Sequence, residues 1–183
     1  MSDPTKRVLG VIRPSTEAIG NYTTSRHVGI LGTNGTVKSQ SYPVEINKFF
    51  PDVKVNQLAC PMWVPLVENN EYNSSPGREF VKQKVDQLIA LDSEIDTIVL
   101  GCTHYPILKP IIEEFVSANT QVLAQGEIVA DSLKDYLKRH PEMETRLSGG
   151  GTTDYFTTEN PTNFEGKAST FLGREISANH VEY

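Results

Sequence analysis

The sequence predicts an α/β fold, a parallel sheet sandwiched by helices. Two observations carry this. Short apolar runs alternate with segments of helical periodicity along the 183 residues, the pattern of strand–crossover–strand units buried on both faces. In addition, Ile95-Asp96-Thr97-Ile98-Val99-Leu100 leads straight into Gly101-Cys102-Thr103-His104-Tyr105 and then into the helical run that starts at Pro106. Strand, polar junction and helix follow one another without a break.

Each element has its own reason. Val8-Leu9-Gly10-Val11-Ile12 reads as a strand, and 15–21 as a short helix after Pro14. A second strand spans 27–33. Residues 36–50 are helical, with Pro43 expected to bend or interrupt them. Alternating apolar and polar residues make 54–59 a third strand. In the helix 75–91, Phe80, Val81, Val85, Leu88 and Ile89 share one face. Strand four is 95–100, followed by a helix from about Tyr105, a strand over 120–124 and a helix over 127–139 that His140-Pro141 ends. Ser148-Gly149-Gly150-Gly151 marks a loop. Beyond it come a polar strand (152–158), a helix (163–172) ending at Gly173, and an extended piece (175–183). The strand after Gly151 has no βα unit leading into it, so the chain is expected to pass to another sheet there.

Composition excludes several classes. Hydrophobic content of 38% with 22% charged residues is globular. A net charge of −6 without a dense Lys/Arg stripe argues against a nucleic-acid partner. No apolar run is long enough to cross a bilayer, and residues 1–7 lack the apolar stretch of a signal peptide. The expectation is a cytoplasmic protein with reduced thiols rather than a Cys60–Cys102 disulfide. The two cysteines form no Cys-x-x-Cys pair and the four histidines show no zinc spacing, so no metal site is expected.

Cys102 and His104 are the first candidates for chemistry. They fall where a parallel strand ends and a helix begins, the edge at which ligands bind open α/β sheets. A helix N-terminus favours anions and lowers thiol pKa values. A thiolate acts as a base or nucleophile, an imidazole two residues away holds or relays its proton, and the Thr103 amide and hydroxyl suit a carboxylate. Cys60, ahead of a proline at the end of the third strand, reads as a buried structural thiol. Glu68 ends an apolar stretch beside Asn69 and Asn70; its spacing alone favours a solvated acid over a carboxylate that orients a histidine. Gly32-Thr33-Asn34-Gly35-Thr36-Val37-Lys38-Ser39 has Val37 where a phosphate-binding P-loop needs glycine before lysine. Nucleoside triphosphate binding is therefore rejected. Thr33 and Thr36 fit a small-anion site and a well-capped helix equally. Nothing around Lys38 marks a Schiff-base lysine, so no pyridoxal cofactor is expected.

Together these motifs resemble the glutamate racemase family. The likeness rests on four segments in family order: 29–39, Ala59-Cys60-Pro61 through Glu68, 100–108 with its Gly-Cys-Thr-His-Tyr string, and Tyr155-Phe156-Thr157 leading to Phe171-Leu172-Gly173. Aspartate racemases and related enzymes usually carry Glu where this chain has His104, so His104 favours glutamate. The resemblance implies a cofactor-independent isomerase that interconverts L- and D-glutamate for peptidoglycan synthesis. Two cysteines would work on opposite faces of the Cα. It implies glutamate as the small-molecule substrate, no nucleic-acid or membrane partner, and a homodimer as the candidate assembly. Carried over, Cys102 is one catalytic cysteine, His104 assists it and Glu68 supports the histidine. Thr103, His104, Thr33 and Thr36 bind substrate.

One departure matters. The family's Asp-Ser-Gly segment and its Ala-Cys-Asn-Thr segment, which supplies the opposite cysteine, are not in this sequence. Cys60 matches a different, non-catalytic position. The expectation is a chain without the family's N-terminal half-site: 1–7 an unmatched N-terminus or tag, 8–123 a complete α/β domain carrying Cys102 and His104, and 124–183 a C-terminal segment returning to an incomplete first domain. Activity of this chain alone is not expected, and exposed strand edges with a tendency to associate are. Two rivals stand beside this reading. One is a non-catalytic remnant that binds a small anion or a partner through the same crevice. The other is a cysteine hydrolase, weakened because no oxyanion-hole motif accompanies the pair.

Overall fold

The computed structural model describes residues 9–182. The expectation for 1–7, and the parts of two expected strands that fall on Val8 and Tyr183, lie outside the described residues. The chain forms two compact units, Met1–Arg139 and His140–Tyr183.

The first unit holds four parallel strands: β1 (His27–Gly32), β2 (Lys54–Ala59), β3 (Thr97–Gly101) and β4 (Gln121–Ala124), ordered β2-β1-β3-β4. Register pairs Gly32 with Ala59, Gly32 with Gly101, and Leu100 with Ala124, so all four strands end along one edge. Val28, Ile30 and Val99 pack on one face with Ile19, Tyr42 and Ile46. Leu31, Ile98 and Leu100 pack on the other with Trp63, Val81, Val85, Leu88 and Ile112. Helices on both faces of a parallel sheet are the architecture that the sequence predicts.

The connections cover these faces. Helix α1 (Ile12–Ala18) runs into a 3-10 turn, Ile19–Asn21. After β1 come α2 (Asn34–Ser39) and α3 (Ser41–Phe49); after β2, α4 (Trp63–Glu68) and α5 (Ser75–Leu91). A 3-10 turn (Tyr105–Leu108) and α6 (Lys109–Glu113) join β3 to β4, which passes directly into α7 (Gln125–Arg139). Helix α5 has the span read from its periodicity. Ser74 caps it by accepting from the Gly77 N–H at 3.1 Å.

Four expectations are corrected. Residues 9–11 form no strand: Leu9 and Val11 are exposed, and α1 starts at Ile12 so that Pro14 falls in its first turn. The expected helix 36–50 is two helices, because Pro43 cannot follow a continuous helical turn without its ring meeting the carbonyl four residues back. The break comes at Gln40, at φ 54°, which places Pro43 in the first turn of α3. Phe80 is 44% exposed, since the buried stripe of α5 runs Gly77, Val81, Val85 and Leu88. The helix expected from Tyr105 begins as a 3-10 turn, with Pro106 and Pro110 each near the start of a short element.

In the second unit, α8 (Pro141–Glu144) precedes β5 (Tyr155–Thr157), α9 (Pro161–Leu172) and β6 (Ala178–His180). Strands β5 and β6 pair in parallel as a sheet of their own, in keeping with the passage to another sheet after Gly151. Asn160 caps α9 and Gly173, at φ 64°, ends it. The sequence-based boundary after 123 falls within the last residues of β4, whereas the compact units divide after Arg139.

Candidate active site

Strands β1 and β3 are neighbours whose onward connections diverge, β1 toward β2 and β3 toward β4. Such a switch point opens a crevice at the carboxyl ends of the strands. Thr33 follows β1 at that edge and Cys102 follows β3.

Cys102, partly buried, lies with its Sγ 4.0 Å from His104 Nδ1. The other ring nitrogen, Nε2, is 2.6 Å from Glu68 Oε1. A carboxylate accepts, so Nε2 carries a proton, and Nδ1 faces the sulfur with a lone pair in the neutral ring and a proton in the imidazolium. The line Glu68–His104–Cys102 can therefore take a proton from the thiol or hand one back. The histidine and glutamate side chains are 25% and 30% exposed, so the pair contributes at most about 1 kcal/mol to stability. Its consequence is orientation.

Glu68 reaches His104 because of α4, a helix too short and too proline-interrupted to announce itself. Trp63 and Val67 are buried one helical turn apart, which turns the next residue, Glu68, toward the crevice. The Trp63 ring meets Tyr105 edge-on with centroids 5.0 Å apart. Tyr105 Oη donates to Cys60 O at 2.9 Å. These contacts fix α4 against the segment that carries His104.

Thr33 caps α2, accepting from the Thr36 N–H at 3.2 Å, and the two hydroxyls are 3.1 Å apart. Thr36 Oγ1 reaches Gly101 O at 3.5 Å, joining the end of β1 to the end of β3. A Cβ on Gly32 would lie 2.9 Å from Thr36 Cγ2, so the close approach needs glycine. Thr103 is exposed beside Cys102. The structure thus gathers Cys102, His104 and Glu68 into one line and sets Thr33 and Thr36 at the adjacent strand end.

Cys60 is fully buried, and burial pushes its thiol up to about 12. Its Sγ lies 3.8 Å from Leu58 O, and both cysteines are free. Two residues that sequence reasoning passed over also sit at this edge. Gln125 Nε2 donates to Tyr42 Oη at 2.7 Å and to Leu100 O at 2.9 Å. The one signal for Gln125 is its place directly after a parallel strand; Tyr42 gives none beyond an apolar helix position. Burial raises the Tyr42 phenol, the Gln125 hydrogen bond lowers it, and charge on Cys102 raises it further.

A cleft of about 510 Å³ lies elsewhere, along the free side of β4, lined by Pro14, Tyr22, Lys109, Leu123 and Asp131 among others. Its lining holds neither a cysteine nor a histidine, so chemistry rather than volume locates the site. Among the described residues no group of three or more His, Cys, Asp or Glu side chains is placed to hold a metal ion. No helix there is long and apolar enough to cross a membrane.

No protein-family model matches the chain. It is similar to a Streptococcus mutans glutamate racemase, 36% identical over 95% of this chain and 65% of that protein. A Streptococcus pyogenes glutamate racemase is 39% identical with the same two coverages. Among solved structures, glutamate racemase RacE1 of Bacillus anthracis superposes with a TM-score of 0.85 at 30% identity, covering 97% of this chain and 65% of that one. The chain thus spans about 65% of the length of the curated relatives it matches.

Proposed function

We infer that this chain, whose homologues are glutamate racemases, carries one thiol half of a glutamate racemase site. The observation that carries the reading is the Glu68–His104–Cys102 line at the β1/β3 crevice. The Cys102 thiolate takes the α-proton of glutamate on one face, and the same sulfur or His104 returns a proton. The carbanion formed is strongly basic and needs preorganised donors. Thr33, Thr36 and Thr103 supply hydroxyls at that edge for the substrate carboxylates. No metal or organic cofactor has a part in this scheme. We propose further, from the similarity to glutamate racemases, that the complete two-thiol site serves peptidoglycan synthesis in the cytoplasm.

Inversion needs a second thiol on the opposite face of the Cα. Cys60 is not that thiol: it is sealed in the core and its proton is held up to about 12. The chemistry of this chain is therefore proton exchange on one face with retention. Proton NMR of L- and D-glutamate in D₂O tests it. The expected result is loss of the Cα signal from one enantiomer only, abolished by Cys102→Ala. A folded chain that leaves both signals intact sinks the reading and favours the rival, a crevice that binds a small anion without turning it over.

A further inference from the structure

Helix α7 (Gln125–Arg139) contains no buried residue. Its Ile128 and Ser132 line the cleft together with Pro14 and Glu17 of α1, so that side of the helix faces its own unit. Gly126, Ala130, Leu133 and Leu137 recur at spacings of four, three and four, which sets them in one row on a different side. Gly126, Ala130 and Leu133 are exposed, Leu133 by 43%, and Leu137 is half-buried. A Cβ on Gly126 would meet nothing within 4 Å. Apolar positions at alternating spacings of three and four are the seam by which one helix packs along another.

We propose that this row on α7 is a self-complementary docking face for a second copy of the chain, the two helices pairing antiparallel with Glu127 of each opposite Lys134 of the other. Size complementarity selects the direction. Antiparallel pairing sets Leu137 over Gly126 and Leu133 over Ala130, a large side chain against a small one in every layer. Parallel pairing would set Gly126 against Gly126 and leave a gap. Charge selects the same arrangement. Glu127 and Lys134 each follow a seam residue, Gly126 and Leu133, so an antiparallel two-fold brings them together twice. Val129 and Tyr136 meet along the other flank. Within its own helix Glu127 stands one turn from Asp131, and Lys134 one turn from Lys138, like charges that repel. Arg139 pairs with Asp135 on the outer side, while Glu127 and Lys134 have no ion-pair partner among the described residues. The whole chain carries a net charge of −6, so its copies repel at a distance and the dimer is weak, with a dissociation constant in the micromolar range.

Sedimentation velocity of the full chain, from micromolar to millimolar concentration, is the test. The expected result is a reversible monomer–dimer equilibrium. Lys134→Glu sets two carboxylates against each other at both symmetric contacts and should weaken the dimer about tenfold. Glu127→Lys combined with Lys134→Glu exchanges both signs and should restore the affinity of the unsubstituted chain. A monomer mass at every concentration overturns the proposal. So does a dimer indifferent to Lys134→Glu, which would sit on another surface such as the edges of β5 and β6, and so does a double variant no tighter than the single one. Both side chains are exposed, so the fold should survive their exchange. If Lys134→Glu nevertheless loses its far-ultraviolet helix signal, Leu133→Gln, at an exposed seam position, carries the test under the same criterion, a weaker dimer. The measurement involves neither glutamate nor Cys102, so assembly and proton exchange stand or fall separately.

Discussion

Burial separates the two thiols by more than position. Cys60 has no exposed surface and keeps its proton up to about 12, whereas Cys102 sits part-exposed beside an imidazole. Thiol reagents attack thiolates, so the native chain should take up one equivalent of iodoacetamide, at Cys102. Cys60 should react only once the chain is denatured, and mass mapping before and after urea checks this. Equal labelling of the two in the native state would contradict the burial described here. Cys102 and His104 were legible as a pair because two residues of spacing at a strand end already place them together. Glu68 was not, because its partner is far along the chain and only the packing of Trp63 and Val67 turns it inward.

At the scale of an element, α5 shows how a glycine fixes a helix start. A Cβ on Gly77 would lie 2.1 Å from the backbone carbonyl of Glu71, and backbone gives way less readily than a side chain. Gly77→Ala is expected to cost about 2–3 kcal/mol, seen as a lower urea midpoint. Gly126 in α7 has nothing within 4 Å of its virtual Cβ, so Gly126→Ala should be neutral or stabilise by up to about 1 kcal/mol. A loss at Gly126 as large as that at Gly77 would contradict this account, because helix propensity favours alanine at both sites and only the contact at Gly77 opposes it. Elements with a clean period, such as β2 and α5, were legible in the sequence to the residue. Those shaped by proline were not: periodicity says where apolar residues recur, but the split of α2 from α3 depends on where a φ-locked ring can sit, and on Gln40 taking a left-handed turn to put it there.

For the molecule as a whole, two carboxylates at the opposite edge of the sheet from Cys102 govern the response to acid. Asp92 is held well below the ordinary carboxylate range chiefly by Lys54, then by His27, the Glu94 amide and Asn56, against the effect of burial. For Asp96, burial pushes upward, but hydrogen bonds from Thr23, Ser25, Thr24 and Thr97 outweigh it and the net shift is downward. Both bind protons more weakly folded than unfolded. Their stabilisation is therefore present above the usual carboxylate pKa of about 4 and lost as pH falls below it. Urea midpoints should drop steadily from pH 5 downward, roughly the acid side of that titration, and Asp96→Asn should flatten the slope. At the alkaline end Cys60 has the opposite sign, since its pKa is raised on folding from 9.0 to about 12, and stability should decline as pH rises across that interval. None of this was legible in the sequence, where Asp92 and Asp96 are two acids among 23. What makes them special is that strand pairing brings residues from β1, β2 and the preceding turn around them.

The order of strands in the sheet also sets a timetable. The crevice lies between β1 and β3, paired from Val28 with Thr97 onward, yet β2 stands between them in the chain. Hairpin-like neighbours meet early, whereas a pair separated by a whole strand and four helices must close a long loop first, and such non-local contacts dominate the folding time. The thiol and its hydroxyl-bearing neighbours therefore come face to face only when the central pairing of the sheet is complete. A newly made chain passes through its least protected interval with Cys102 already synthesised but not yet beside Thr36, so its exposure to oxidants is set by how quickly the middle of the sheet closes.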